Sequence, residues 1–520
     1  MRFSQALRAF LIINGAFAFY SSSIVSLFAQ LVPEIKSVPI PLEKPSVLND
    51  NKNTNSKSAS SASMTKVATT KDNDAIIMSL SDAVFLALRN NRQIKSAYIN
   101  RISQRYDLKV AEDRFTPHFS IDGSLSRQRI AGVHTDQYDI SPGVSALTPV
   151  GTQFNFVWNF SGTDSDNSNS FSNLANLSIN QPLLRGAGYE VNMAPVNVAR
   201  LNERINRLRL KTNVSETIVQ IIFAHRDLIQ AQEELRLANE SVKRVHSMLE
   251  QNRLLIKTGR MAEMDSVQTE ADLENQRIRV LQAQRTLDSS RLNLLDLLNL
   301  ELSTKLIAKE EFNLRQIPLD VPKLFEIALA ERQDYQSQLL TIEQNKIGIK
   351  VAENAQLWDV SLFAQGTYGT RSRFMTPDER VTDGSFGIKF SIPLNDLSRK
   401  QQLVQADVQN RTGELQLDIL KSGIEKQIRT SASEVTIYWE QSKTAETQLK
   451  LAQQALDAAR LKLNAGRSSA FEVQTQEQNL RNAETQLVNS KLNYLNALTR
   501  LDLQLGTTLE TWQISLNDRT

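Results

Sequence analysis

The 520-residue sequence contains no cysteine, which excludes disulfides, thiolate metal sites, a cysteine nucleophile and an N-terminal lipid-modified cysteine. It has almost no net charge, 60 Lys plus Arg standing against 57 Asp plus Glu. Such a balance leaves no global field to select nucleic acid or an acidic substrate, so any charge-based function is local. The four histidines, His118, His134, His225 and His246, lie far apart with no metal-ligand spacing, and each is expected at the surface or facing a lumen. No phosphate loop or nucleophile motif occurs, and the carboxylates are spread along heptads as on solvated helix faces. Neither an enzyme site nor a cofactor site is expected. After the N-terminal run, no stretch supplies the roughly 20 apolar residues of a membrane-spanning helix. If this chain crosses a membrane, it crosses as strands, because only helices and closed barrels satisfy the backbone in lipid.

Arg2 and Arg8 precede an apolar stretch, Ala9 to Ala18, and the run continues through Ser21-Ser22-Ser23 to Leu27-Phe28-Ala29. Residues 1–29 therefore read as a secretory signal peptide cleaved after Ala29. The alternative is a retained anchor, which Asn14 and the serine cluster interrupt. Residues 30–78 read as a linker: Pro33, Pro39, Pro41 and Pro45 come first, and 49–74 hold almost nothing to bury. Disorder is expected there, with the folded body beginning near Ser79.

The chain matches itself. A shift of 241 aligns Ala87-Leu88 with Ala328-Leu329 and Lys109-Val110-Ala111-Glu112 with Lys350-Val351-Ala352-Glu353. Further on, Lys257-Thr258-Gly259-Arg260 aligns with Asn464-Ala465-Gly466-Arg467 at 207, and Ser290-Arg291-Leu292-Asn293 with Ser490-Lys491-Leu492-Asn493 at 200. The difference is one heptad, an indel that keeps a helix-packing seam in register. A duplication is expected, with repeats at 79–305 and 306–506 and a tail at 507–520.

Each repeat carries two kinds of periodicity. Heptad stripes run Leu228, Ala231, Leu235, Ala238, Val242, Val245, Leu249, Asn252, Ile256, then Val280 to Leu297. They recur as Ala445 to Leu463 and Leu480, Ala483, Leu487, Ser490, Tyr494, Ala497, Leu501. Gly259 and Gly466 interrupt the stripes where a left-handed residue would end a helix, so each half contains a helical hairpin. Residues 196–258 as one helix would be about 95 Å long. The other pattern has period two: Phe154, Phe156, Trp158 and Phe160 alternate with Gln153, Asn155 and Asn159, and Phe386, Ile388, Phe390 and Ile392 with Ser385, Lys389 and Ser391. Weaker copies lie at Phe119-Ile121-Leu125 and Leu177-Ile179. Segments of this kind suit strands with one face in lipid and one in a wet lumen. Polar stretches at 162–169 and 371–383 are expected as exterior loops.

The order helix, strands, long helical hairpin, twice over, resembles the TolC-type outer-membrane efflux family across about residues 79–506. The residues carrying the resemblance are Leu80-Ser81-Asp82-Ala83 with Ala87-Leu88, Asn180-Gln181-Pro182-Leu183-Leu184-Arg185-Gly186, Ser391-Ile392-Pro393-Leu394 and the two Gly-Arg turns. It implies a mixed, mainly α fold in which helical hairpins form an α-barrel tunnel joined to a transmembrane β-barrel shared by a homotrimer. It also implies passive export through the outer membrane, in an efflux or type I secretion system, with a periplasmic adaptor and an inner-membrane pump as partners. A non-pore periplasmic adaptor or structural coiled coil is the competing reading. The sequence departs from the family's two strands per repeat, because a further hairpin lies between Tyr138 and Phe160. Whether it belongs to the barrel decides between twelve and eighteen strands.

The resemblance gives candidate sites. Asp265 and Glu472 follow the turn glycines and correspond to acidic positions that can line a periplasmic constriction, where symmetry copies of a carboxylate favour cations. The alternative is a first-turn acid held by the helix dipole. Gly259, Arg260, Gly466 and Arg467 form the candidate tips that dock an adaptor. Arg200, Arg204, Arg207 and Lys211, spaced four, three and four, form a candidate stripe for outer-membrane lipid phosphates or a plain exposed face.

Overall fold

The computed structural model describes residues 75–516 except 131, 166–167, 260–262, 311–313, 374–375, 395 and 466. The expected signal peptide lies outside the described residues, as does most of the linker. The first half runs β1 (Ala75–Ser79), α1 (Leu80–Asn90), α2 (Arg92–Asp113), β2 (His118–Ile130), β3 (Val133–Leu147), β4 (Gln153–Ser165), β5 (Ser168–Pro182), α3 (Tyr189–Lys257) and α4 (Met264–Leu297). The second runs β6 (Lys305–Lys309), α5 (Val321–Glu331), α6 (Gln333–Gln356), β7 (Asp359–Arg373), β8 (Thr376–Ser391), α7 (Leu397–Asn464) and α8 (Ala470–Leu505), followed by α9 (Thr508–Thr511). The same order of strand, two helices, strands and long hairpin occurs in both halves, with four long strands in the first and two in the second.

Local chemistry sets the helix boundaries. Ser79 Oγ accepts from Asp82 N at 3.2 Å while Asp82 Oδ2 accepts from Ser79 N at 3.3 Å, a reciprocal box that satisfies two orphan donors of α1. Asn91 separates α1 from α2: its Oδ1 accepts from Gln93 N at 2.8 Å and its Nδ2 donates to Leu297 O at 2.8 Å. One polar side chain thus caps a helix and pins it to the end of α4.

The α3 helix has 69 residues and α7 has 68, each about 100 Å long at 1.5 Å per residue. No propensity sustains that length; the seams do. Leu228, Ala231, Val245, Leu249 and Asn252 are buried, as are Leu456, Ala459, Leu480, Ala483, Ser490, Tyr494, Ala497 and Leu501. These stripes pair α3 with α4 and α7 with α8, and α3 also packs on α8, joining the hairpins. Gly259, at φ 70°, is the left-handed residue that ends the first long helix.

Three boundaries differ from expectation. α3 begins at Tyr189, before 196, and runs through Pro195 at the cost of one backbone bond. Residues 75–78, assigned to the linker, form β1, which pairs parallel with β6 from Ala75↔Lys305 to Ser79↔Lys309. The described part of the expected tail, 507–516, packs on the body, with Leu509, Trp512, Ile514 and Leu516 against Val84, Ile94, Val214 and Ile218. A buried apolar cluster of high sequence separation is invisible to a local reading.

Candidate functional site

The long strands form one antiparallel sheet in the order β2-β3-β4-β5-β7-β8. Their register is continuous: Phe119 is level with Val144, Phe156, Leu177, Gly366 and Gly384. The extra hairpin, β3 and β4, is therefore in the sheet, between β2 and β5. The 371–383 segment is not a long loop, since β7 continues to Arg373 and β8 starts at Thr376; likewise β4 reaches Ser165 and β5 begins at Ser168. Cross-strand backbone pairing holds these polar stretches as strand. The turns after β2, β4 and β7 lie at one end of the sheet, and α2, α3, α6 and α7 attach at the other.

The register sorts the side chains into two faces. One carries Phe119, Ile121 and Leu125 of β2, Ile140 and Val144 of β3, Phe154, Phe156, Trp158 and Phe160 of β4, and Leu177 and Ile179 of β5. It continues with Leu362 and Tyr368 of β7 and Phe386, Ile388 and Phe390 of β8. The other face carries Ser120, Ser124, Ser141, Ser145, Asn155, Asn159, Asn176, Ser178, Gln365, Thr367 and Ser385, with Thr367 Oγ1 donating to Asn176 Oδ1 at 2.7 Å. Phe119 is 80% exposed, Leu125 83% and Phe386 91%. An apolar face left this open needs lipid or protein against it. Charge bounds the band at both ends: Arg127 pairs with Asp136 at 2.6 Å toward the turns, and Arg185 with Asp359 at 3.1 Å toward the helices.

The lower turn of the extra hairpin is fastened to the link between β5 and α3. Gly188 N donates to Val150 O at 3.2 Å, and Asn192 Nδ2 donates to Gly186 O and Gly188 O at 2.9 and 2.8 Å. Gly151 has φ 97°, and a Cβ there would lie 2.5 Å from Gly186 O, so this junction requires glycine.

The predicted tip residues are only partly on view. Arg260, Gly466 and the side chain of Asp265 lie outside the described residues. Glu472 sits in the first turn of α8, where its N–H donates to Ser469 Oγ at 3.2 Å and its carboxylate accepts from Ser468 Oγ at 2.8 Å. Lys462 of α7 stands 3.9 Å from the same carboxylate. The backbone N–H of Arg467 donates to Lys462 O at 2.8 Å. In the basic stripe, Arg200 binds Glu112 at 3.0 Å and Arg207 binds Glu203 at 3.2 Å. Two of the four cations therefore already have carboxylate partners. Burial works to raise the Glu203 carboxyl, but hydrogen bonds and charge from Arg101 and Arg207 outweigh it and hold it below the usual carboxylate value.

Sequence reasoning missed a polar seam where the two hairpins meet. Glu477, 2% exposed, accepts from Arg244 at 3.1 Å and from Arg460. Arg244 also reaches Glu484 at 3.0 Å, and within the first hairpin Asn252 Nδ2 of α3 donates to Thr269 Oγ1 of α4 at 2.9 Å. Buried Glu203, Asp272 and Glu477 correct the expectation that the carboxylates occupy solvated faces. His225 corrects the expectation for histidine, being fully buried with Nε2 3.2 Å from Met78 O. Helical spacing could have flagged Arg244 and Glu477 as near-seam charges, but only the packing of α3 on α8 pairs them.

A sheet with one lipid-suited and one hydrophilic face, continued at one end by helical hairpins about 100 Å long, defines a channel protein of the bacterial outer membrane whose helices extend into the periplasm. The chain belongs to the outer membrane efflux protein family, which matches residues 84–300 and 324–507. It is an export channel and not an enzyme. Among its relatives, the alkaline protease secretion protein AprF of Pseudomonas aeruginosa is 21% identical over 343 residues, 64% of this chain and 69% of its own. The Campylobacter jejuni CmeC outer membrane channel superposes with TM-score 0.62 at 17% identity, covering 82% of this chain and 85% of its own. The open state of the Neisseria gonorrhoeae MtrE outer membrane channel does so with 0.62 at 16%, covering 82% and 88%.

Proposed function

We propose that three copies of this chain close their sheets into one barrel and their hairpins into one tunnel, through which cargo passes passively out of the periplasm. The observation that carries this reading is the six-stranded sheet whose ends, β2 and β8, lie at opposite edges of the order. Open edges beside an uncovered apolar face require more strands of the same kind. Three copies give about 18 strands, enough by strand number for an aqueous lumen. The two halves descend from one duplicated unit, and the energy comes from an inner-membrane pump joined through a periplasmic adaptor, in an efflux or type I secretion system. The adaptor docks at the tips around Gly259, Arg260, Gly466 and Arg467. Glu472, and Asp265 in the corresponding turn, bias the closed end toward cations, and Arg200, Arg204, Arg207 and Lys211 lie within reach of lipid phosphates.

The test is extraction from outer membranes in mild detergent. The unheated protein should migrate as a trimer in a denaturing gel, fall to monomer on boiling, and conduct ions in planar bilayers. Recovery as a soluble, non-conducting monomer would overturn the reading.

A further inference from the structure

The sheet edges contain enough information to fix how neighbouring copies pair. On β2 the apolar positions run from Phe119 through Ile121 to Leu125, toward the turn that follows. On β8 they run from Phe386 through Ile388 to Phe390, with Ile392 one residue past its end, away from the turn that precedes it. Because Phe119 is level with Gly384, the middle of the apolar row slides by about eight residues between the two edges. A membrane band is level, so this slide measures how far the strands lean within a closed barrel.

We infer that β8 of one copy pairs antiparallel with β2 of the next in the register that sets Lys389 opposite Asp122, Phe390 opposite Ile121 and Phe386 opposite Leu125. This inference rests on the trimeric barrel proposed above and specifies its seam. The six-strand meander runs β8 opposite in direction to β2, so the junction continues the same antiparallel alternation. The slide must be an even number of residues, since an odd step would set an apolar row beside a polar one. Two residues less would put Arg380 opposite Arg129, a like-charge pair that destabilises a sheet. Two residues more would put Phe386 opposite Arg127 and Lys389 opposite Ser124. The chosen register instead continues the apolar band and joins two exposed opposite charges, Lys389 and Asp122, on the hydrophilic face. Three such steps give a shear of about 24, and 18 strands about 4.8 Å apart then tilt by about 45°, inside the range of outer-membrane barrels.

The natural absence of cysteine makes the register directly testable in the full-length protein. The pair Ile121→Cys with Phe390→Cys, oxidised in outer membranes, should form inter-chain bonds at least fivefold faster than Ile121→Cys with Ile388→Cys or with Ile392→Cys. A charge test is independent of cross-linking geometry: Asp122→Lys and Lys389→Asp should each lower the temperature at which the trimer dissociates, and the double exchange should restore it. A trimer that cross-links faster through Ile388 or Ile392, or through none of the pairs, with no restoration by the double exchange, overturns the register while leaving the trimer standing. A protein that is monomeric before any substitution overturns the barrel itself.

Discussion

Arg244 of the first long hairpin binds Glu477 of the second at 3.1 Å, and Glu477 is only 2% exposed. The same carboxylate accepts from Arg460, and Arg244 also holds Glu484 at 3.0 Å. One buried acid thus ties α3, α7 and α8 together. Removing the acid leaves the partly exposed Arg244 and Arg460 with less compensation, at a cost of about 1–3 kcal/mol, below that of breaking a fully buried pair.

Glu477→Gln should therefore lower the thermal stability of the helical region by an amount in that range, read by far-ultraviolet circular dichroism. Glu484→Gln, at a more accessible carboxylate, should cost less. Equal small effects would show that the network is a solvated surface cluster.

His225 gives stability a pH dependence. Burial pulls its pKa below the ordinary histidine value, against the hydrogen bond to Met78 O and the charge of Glu310. In the unfolded chain it titrates near 6.5. Between that value and the lower folded one, the unfolded chain binds more protons, so stability present above about pH 6.5 is lost as the pH falls, by up to about 1.4 kcal/mol per pH unit. The melting temperature should drop on acidification, and His225→Gln should flatten that drop.

Gly151→Ala should reduce trimer yield much more than Gly132→Ala. Both glycines have positive φ, but nothing lies near a Cβ at Gly132, whereas one at Gly151 meets Gly186 O at 2.5 Å. Forcing alanine into the left-handed region costs about 1–2 kcal/mol, and only Gly151 adds a backbone collision. Equal yields would mean that the turn can pull away from the β5–α3 link.

The two sheet faces should differ in chemistry. Phe156→Cys should react with a lipid-confined label and resist a water-soluble one, and neighbouring Asn155→Cys should do the reverse. The opposite pattern would remove the extra hairpin from the membrane wall.

Glu472→Gln should weaken cation preference in planar bilayers if three copies of this carboxylate line a constriction. Unchanged selectivity with lowered helix stability would leave Glu472 with the N-terminal role that its bonds to Ser468 and Ser469 already describe.

Much of the architecture was legible because it is periodic. Phe154 to Phe160 alternates with period two and Leu480 to Leu501 follows a heptad, and both patterns report a face that must be covered whatever the chain does elsewhere. The polar rows at 162–165 and 376–383 read as loops because their composition signals a turn, while strand pairing around Phe171 and Arg371, not composition, holds them extended. Among the candidate residues, Glu472 is singled out by its distance from a turn glycine. Arg244 and Glu477 were not singled out, because each looks like an ordinary charge beside a seam.

The sequence by itself determined the two helical hairpins, the amphipathic strands and their order, since each follows from a local period or a local breaker. Only the tertiary structure decided that β3 and β4 join the sheet between β2 and β5, that residues 75–79 pair with 305–309 and that Glu477 lies between two arginines. Those facts depend on contacts between residues far apart in the chain, whose free energies come from burial and pairing that no local window contains.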